Sequence, residues 1–115
     1  MRLVIADDEM LMREGLATAV QALAEAGDAP LAVQPLPEER FPPSVEAAAY
    51  FLVAELARRG GSRVRAERAD DRLVVEVEGA ALDGDVTELE DRIGAVDGEL
   101  VVAAGSVRAE IPCGS

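Results

Sequence analysis

Histidine and lysine are both missing from this chain of 115 residues, and cysteine occurs once. Without histidine the chain cannot build a Ser/His/Asp or Cys/His nucleophilic system, because these systems use imidazole as the base. A zinc site with the usual cysteine and histidine ligands is excluded as well. The single Cys113 has no partner for an intramolecular disulfide, so nothing indicates an oxidising compartment, and we expect a cytoplasmic location.

Long apolar runs and aromatic residues are also scarce. No stretch approaches the roughly 20 residues that a membrane helix needs, and Asp7 and Asp8 lie where a signal peptide would be apolar. We therefore expect no membrane association. Half of the residues are hydrophobic, but only Phe41, Tyr50 and Phe51 are aromatic, which predicts an aliphatic core.

Negative charge, in contrast, is abundant. The chain has 23 acidic and 11 basic residues, a net charge of −12. Such a charge disfavours binding to nucleic acids and anionic lipids, which depends on clustered cations. All the basic residues are arginines, and the one cluster, from Arg58 to Arg68, is interpreted as a helix end and a solvated strand face rather than an anion site.

The length and the hydrophobic pattern predict one small domain over residues 1–115. The first elements are a short buried strand over residues 2–6, a helix from about 9 to 26 that stops at Gly27, and a short strand over residues 31–35. A proline-containing connector follows, over residues 35–43.

The middle of the chain predicts a helix and a β-hairpin. Ser44 is a candidate N-cap, with Glu46 in the first turn, and Gly60 ends the helix. The helix has one apolar stripe, formed by Val45, Ala48, Ala49, Leu52, Val53 and Leu56. Residues 63–69 and 72–78 alternate as two strands, with Asp70 and Asp71 at the turn.

A third helix and a second hairpin complete the pattern. Asp85 and Glu88 resemble a capping box at the start of the helix, and Gly98 closes it. The apolar face of this helix comprises Val86, Leu89, Ile93 and Val96. Residues 99–104 and 107–111 then form strands joined through Gly105 and Ser106.

Three segments of the chain resemble the ATP-binding domain of bacterial sensor histidine kinases. They are Glu38 to Glu55 (EERFPPSVEAAAYFLVAE), the strand pair that follows, and the ending Val107 to Cys113 (VRAEIPC). The resemblance implies an α/β (α+β) two-layer sandwich, in which about three helices cover one face of a mixed, mostly antiparallel sheet. We assign the kinase-like body to residues 28–113.

The same resemblance implies where a nucleotide site would lie. Glu55 stands at the family's helix acid, which implies a magnesium ligand, and Glu78 or Asp83 stands near the acid that binds adenine. The asparagine that follows the helix acid in the family and the glycine-rich ATP lid are both missing. In the alternative interpretation, Glu55 is a carboxylate at a helix end near Arg58 and Arg59, and Glu78 and Asp83 are ordinary loop acids.

Residues 1–20 resemble a different signalling family, the LuxR/NarL-type response-regulator receiver, through IADDE and LMREGL. In receivers the acid pair after the first strand helps to hold magnesium, which makes Asp7 and Asp8 candidate metal ligands. The alternative is that these acids favour the N-terminus of the first helix. The receiver's acceptor aspartate and its lysine have no counterpart in this chain.

The missing asparagine, ATP lid, acceptor aspartate and lysine together predict a non-catalytic two-component signalling module that acts by binding another protein. The expected partner is a cognate histidine kinase or response regulator, or a second copy of the chain through its first helix. We expect no cofactor and no nucleic-acid or membrane partner. Two alternatives remain open: a weak ATP and magnesium site, or a folded fusion relic without a selected function.

Overall fold

A five-stranded sheet with helices on one face forms the protein, for which the computed structural model describes residues 11–26, 31–81 and 86–113. Residues 11–14 are helical, and three further helices follow, α1 (Leu16–Ala26), α2 (Pro43–Arg58) and α3 (Thr87–Gly94). The strands are β1 (Ala32–Val33), β2 (Arg63–Ala69), β3 (Arg72–Glu78), β4 (Glu99–Ala103) and β5 (Ser106–Pro112). Their order across the sheet is β1-β2-β3-β5-β4, and all neighbours are antiparallel except β1 and β2. The predicted fold class is confirmed.

The hairpin of β2 and β3 lies near the centre of the sheet and has the predicted boundaries. Arg63 pairs with Glu78 at one end and Ala69 with Arg72 at the other. Asp70 adopts a φ of 58° at the turn, a conformation that aspartate tolerates better than most residues. Alternate residues face the helices and are buried; in β2, β3 and β5 they are Val64, Ala66, Leu73, Val75, Val77, Val107, Ala109 and Ile111.

Helix α2 covers this sheet, and its whole predicted apolar stripe is buried. The predicted cap is wrong, because Ser44 lies inside the helix and no side chain caps it. The Pro42 carbonyl accepts the first backbone bonds, from Val45 at 2.9 Å and Glu46 at 3.0 Å. Pro43 suits the first helical position, where its missing N–H group costs nothing.

The first predicted helix is interrupted within residues 11–26. Gly15 has a φ of +98° and separates residues 11–14 from α1. Its N–H group still donates to the Leu11 carbonyl at 3.0 Å. A Cβ atom at Gly15 would lie 3.0 Å from Cδ of Arg40, so a distant side chain occupies the space beside the break.

The remaining elements follow the prediction, except that α3 ends at Gly94, before the predicted stop at Gly98, because residues 95–97 form a turn. Leu89 and Ile93 of α3 are buried, and Val86 and Val96 pack beside them. Helix α3 begins after Val86 without a side-chain cap, and Asp85 lies outside the described residues. The last turn is Ala104–Gly105, one residue earlier than predicted.

The predicted strand over residues 31–35 is reduced to Ala32–Val33. The Gln34 N–H group still donates to the Val64 carbonyl at 2.9 Å, but Pro35 has no N–H group with which to continue the pairing. The predicted strand over residues 2–6 and the stop at Gly27 lie outside the described residues.

Candidate functional site

The region implied as a nucleotide site is the junction between the end of α2 and the connection after β3. The Gly61 N–H group donates to the Leu56 carbonyl at 2.9 Å, which closes the helix. The Ser62 N–H group then donates to the Glu78 carbonyl at 2.8 Å, and the Ala81 N–H group donates to the Arg59 carbonyl at 2.8 Å. Backbone hydrogen bonds therefore join the helix end directly to the last residue of β3 and to the connection that follows it.

Gly61, which follows the end of α2, lies in tightly packed surroundings between α2 and β3. A Cβ atom at Gly61 would lie 2.9 Å from both the Leu56 carbonyl oxygen and Cγ1 of Val77. Real Cβ atoms are essentially never found so close to other atoms. Glycine is therefore required at this position for the chain to pass between α2 and β3.

Glu55 lies on the last turns of α2 and is largely buried, with 15% of its side chain exposed. Its two carboxylate oxygens accept hydrogen bonds from Arg58 Nη1 at 3.0 Å and Arg59 Nε at 3.3 Å. Residues three and four positions apart meet on one face of a helix, which explains both pairs. This is the environment that the alternative interpretation of Glu55 predicted.

Glu78 lies on the opposite side of the sheet from Glu55. Leu73, Val75 and Val77 of β3 face the helices, so Glu78 faces away from them. Its carboxylate is 3.8 Å from Nη1 of Arg63 on the neighbouring strand. The structure therefore does not bring these two acids together, and Asp83 lies outside the described residues.

The connection between β3 and α3 is short. It spans residues 79–86, between the end of β3 at Glu78 and the start of α3 at Thr87. Its first residue is fixed, because the Gly79 N–H group donates to the Gly105 carbonyl at 2.9 Å. A Cβ atom at Gly79 would lie 2.6 Å from Oγ of Ser62, so this end of the connection is tightly packed as well.

The predicted metal ligands Asp7 and Asp8 lie outside the described residues. Within residues 11–26, 31–81 and 86–113, no group of three or more histidine, cysteine, aspartate or glutamate side chains could hold a metal ion. A search of the same ranges finds no helix long and apolar enough to cross a membrane.

An ion pair that the sequence does not predict joins Arg40, whose side chain is 49% exposed, to the buried Glu46. Arg40 donates from Nε and Nη2 to the two carboxylate oxygens of Glu46, each at 3.1 Å, and the Phe41 N–H group donates to Oε2 at 3.1 Å. Arg40 Nη2 also donates to the Met12 carbonyl at 2.9 Å. The hydrogen bond to Glu46 raises the pKa of the Arg40 guanidinium above its ordinary value.

The face of the sheet opposite the helices, called here the open face, carries paired charges. Arg65 lies 2.9 Å from Glu76 on the neighbouring strand, and Arg108 lies 2.7 Å from Glu110. On the helix side of β2, opposite Leu73, Arg68 pairs with Glu39, and that hydrogen bond raises the pKa of the Arg68 guanidinium. The predicted solvated strand face is therefore a set of ion pairs.

No protein-family profile matches the chain, and no curated protein sequence matches it significantly. Its structure, however, is similar to solved structures of histidine kinases. The blue-light activated histidine kinase EL346 of Erythrobacter litoralis has a TM-score of 0.62 at 17% identity, and the match covers 85% of this chain and 45% of that protein. The chain has a histidine-kinase-like fold. It spans less than half the length of EL346.

Two further structures agree with this fold assignment. The histidine kinase AdeS of Acinetobacter baumannii has a TM-score of 0.59 at 12% identity, covering 96% of this chain and 76% of the other. The histidine kinase domain of the E. coli osmosensor EnvZ has a TM-score of 0.50 at 19% identity, covering 90% and 87%. At such low identities the similarity concerns the fold alone.

The receiver resemblance receives no support from these structures, all three of which are histidine kinases. Half of the receiver-like segment, residues 1–10, lies outside the described residues. In the other half, the buried side chains Leu11, Leu16, Ala19 and Val20 belong to the same core as α2 and the sheet. Residues 11–20 thus contribute side chains to the core that α2 and the sheet form.

Proposed function

We propose that the protein is a non-catalytic two-component signalling module, a histidine-kinase ATPase-like scaffold that acts by binding another protein. The observation that carries this proposal is the closed junction between α2 and β3. The Ala81 N–H group bonds to the Arg59 carbonyl at 2.8 Å, where the family's site would need space for a nucleotide. The short connection over residues 79–86 leaves little chain for a lid above it.

The state of Glu55 supports the same proposal. Its two carboxylate oxygens accept hydrogen bonds from Arg58, the last residue of α2, and from Arg59, which follows it. A magnesium ion prefers carboxylate oxygens together with waters and phosphates in an octahedral shell. To bind magnesium, Glu55 would have to release Arg58 and Arg59, which would leave two cations beside the metal.

The competing proposal is a weak ATP and magnesium site that uses Glu55 with Glu78 or Asp83. Its weakness is geometric, because Glu55 lies on the helix layer and Glu78 pairs with Arg63 on the open face. Even with a nucleotide bound, the chain has no histidine to accept a phosphoryl group.

The proposed partner is a histidine kinase or a response regulator. A second copy of the chain, joined through the first helix, is less favourable, because the apolar side of α1 is already in the core. Leu16, Ala19 and Val20 are each no more than 3% exposed. Apart from Leu23, which is partly buried against the core, the other residues of α1 are polar or small, so they offer little apolar area for a helix-to-helix dimer.

A reconstituted phosphotransfer assay tests the proposal. Purified histidine kinases and response regulators from the source organism would be incubated with labelled ATP, with and without this protein. We expect the protein to bind one kinase or regulator and change its rate of phosphotransfer without becoming labelled. Labelling of the protein itself, or no binding and no effect across the whole set, would refute the proposal.

A further inference from the structure

Strand β4 forms an open edge of the sheet in the part of the chain that the structure describes. It pairs with β5 on one side only, from Glu99 opposite Glu110 to Ala103 opposite Ser106. Val101 is 53% exposed and Val102 is 47% exposed. Apart from Met12, these two are the exposed large hydrophobic residues of the described ranges.

The backbone of β4 can accept another strand. Ala103 and Ser106 flank the two-residue turn and form its closing pair. Because hydrogen-bonded pairs alternate along an antiparallel ladder, Leu100 and Val102 direct their N–H and C=O groups away from β5. These groups provide the bonding pattern that an added strand requires.

The two edges of the sheet differ in how they discourage pairing. At one edge β1 has two residues, Ala32–Val33, and Pro35 follows at once. Short edge strands and prolines are devices that prevent edge-to-edge association. Strand β4 has five residues, contains no proline and carries its only charge at Glu99. It therefore lacks the protection that β1 has.

The surroundings of β4 are strongly acidic. Helix α3 packs against β4, and together the segment from Thr87 to Ala103 has five acidic residues and one arginine. That arginine, Arg92, lies over the Phe51 ring at 4.1 Å. The acidic residues are all exposed and comprise Glu88, Glu90, Asp91, Asp97 and Glu99.

We propose that the β4 edge is a docking surface for an extended, basic segment of a partner protein, which adds to the sheet as a sixth strand. The backbone of β4 would bind the segment, and the acidic residues would attract its arginines or lysines. Successive residues of a strand point to opposite faces, so the apolar side of the segment would contact either Val101 on the open face or Val102 on the helix face. This inference rests on the proposed role in protein binding and identifies the surface used.

A second copy of the chain is a poorer occupant of this edge. Each copy has a net charge of −12, so the two would repel each other. Pairing of two five-residue strands also buries little surface compared with the roughly 1,200 Å² of total area at the low end of stable interfaces. A basic segment avoids the repulsion and gains from the acidic surroundings.

The test uses a capped nine-residue peptide of alternating valine and lysine, titrated into the isotope-labelled protein and followed by NMR. A peptide with glutamate in place of lysine is the control. We expect shifts concentrated on β4 and slower exchange of the Leu100 and Val102 amide protons with the basic peptide alone. Shifts centred elsewhere, or equal binding of the acidic peptide, would overturn the proposal.

Two variants sharpen this test. Val102→Pro removes an outward N–H group while leaving the bonds to β5, so binding should weaken by about tenfold or more. Glu99→Lys should weaken binding by about three- to tenfold at low salt. The control Glu25→Lys, on the exposed side of α1, should change binding less than about twofold. Unchanged binding by a folded Val102→Pro protein contradicts the proposal, and so does unchanged binding by Glu99→Lys.

Analytical ultracentrifugation tests whether a second copy of the chain binds the β4 edge instead. We expect the unliganded protein to sediment as a monomer. A dimer that Val102→Pro dissociates would show that a second copy takes the edge, and it would overturn the inference. If the peptide fails to bind while phosphotransfer is still altered, the inference fails and the proposed function stands.

Discussion

Glu46 is the buried charged residue of the described core, with a relative exposure of 2%. Its carboxylate receives two hydrogen bonds from Arg40 and one from the Phe41 backbone. Arg40 in turn donates to the carbonyl of Met12 in the helical segment 11–14. One ion pair thus joins the start of α2 to a segment almost thirty residues earlier in the chain.

Replacement of this carboxylate tests its importance. Glu46→Ala should lower the free energy of unfolding by about 2–3 kcal/mol, because charge-assisted hydrogen bonds are lost and the Phe41 N–H group is left buried. Urea denaturation measures the change. The control is Glu25→Ala on the exposed side of α1, expected to stay within about 0.5 kcal/mol of the parent. Equal effects of the two substitutions would contradict this role for Glu46.

Two glycines near α3 offer a second comparison. A Cβ atom at Gly98 would lie 2.8 Å from Cγ2 of Ile93 and 2.9 Å from the Glu110 carbonyl oxygen, whereas one at Gly94 would meet nothing within 4 Å. Gly98→Ala should therefore destabilise the protein by about 2 kcal/mol, and Gly94→Ala should stabilise it by about 0.5 kcal/mol. Thermal unfolding of both variants measures this difference. A stable Gly98→Ala protein would show that α3 and β5 lie further apart.

The sequence predicts the burial of residues whose position follows a local repeat. It does not predict contacts between residues that are distant in the chain. The apolar stripe of α2 repeats every three or four residues, so each position is predicted correctly. The sequence places Glu46 only in the first turn of α2, because its pairing with Arg40 depends on how the connector folds back. The break at Gly15 depends on the same fold, since Arg40 fills the space beside it.

At the scale of elements, the central hairpin and α2 are predicted well because strand alternation and helical periodicity are both strong there. The hairpin boundaries agree with the prediction at Arg63–Ala69 and Arg72–Glu78. The cap residues are predicted poorly. Ser44 lies inside α2 because Pro43 already occupies the first helical position, a choice that depends on the geometry of the preceding connector.

The candidate site depends on how two elements meet, which the sequence only partly predicts. The missing asparagine and lid are visible in the sequence, but the hydrogen bond from Ala81 to Arg59 is not. Likewise, the alternation along β3 does not by itself tell which face of the strand is buried. The side of the sheet on which Glu78 lies therefore follows only once the buried face is known. The structure assigns that face through Leu73, Val75 and Val77.

Hydrogen exchange tests whether the junction between α2 and the connection after β3 is closed. The amide protons of Gly61, Ser62 and Ala81 all donate to carbonyls at 2.8–2.9 Å. They should therefore exchange at least about tenfold more slowly than the amides of Leu100 and Val102, which face away from β5. Rapid exchange at Ala81, at the rate of the edge amides, would indicate that the junction opens and has room for a ligand.

For the whole molecule, the fold is similar to that of histidine kinases, whereas the asparagine and the glycine-rich lid that the sequence resemblance implies are missing. Matches at 12–19% identity cover 85–96% of the chain, so the similarity extends through the sheet and its helices. A fold can persist while its site changes, because the core and the site depend on different residues. Here the core is aliphatic and well buried, and the helix acid Glu55 pairs with its own helix.

The most direct test of the account is a calorimetric titration of the protein with a non-hydrolysable ATP analogue and magnesium, repeated on Glu55→Ala. If the protein is a non-catalytic scaffold, neither form should show saturable heat or a thermal shift at millimolar nucleotide, since the junction is closed and Glu55 is paired with Arg58 and Arg59. Saturable binding that disappears in Glu55→Ala would contradict the account and establish a nucleotide site.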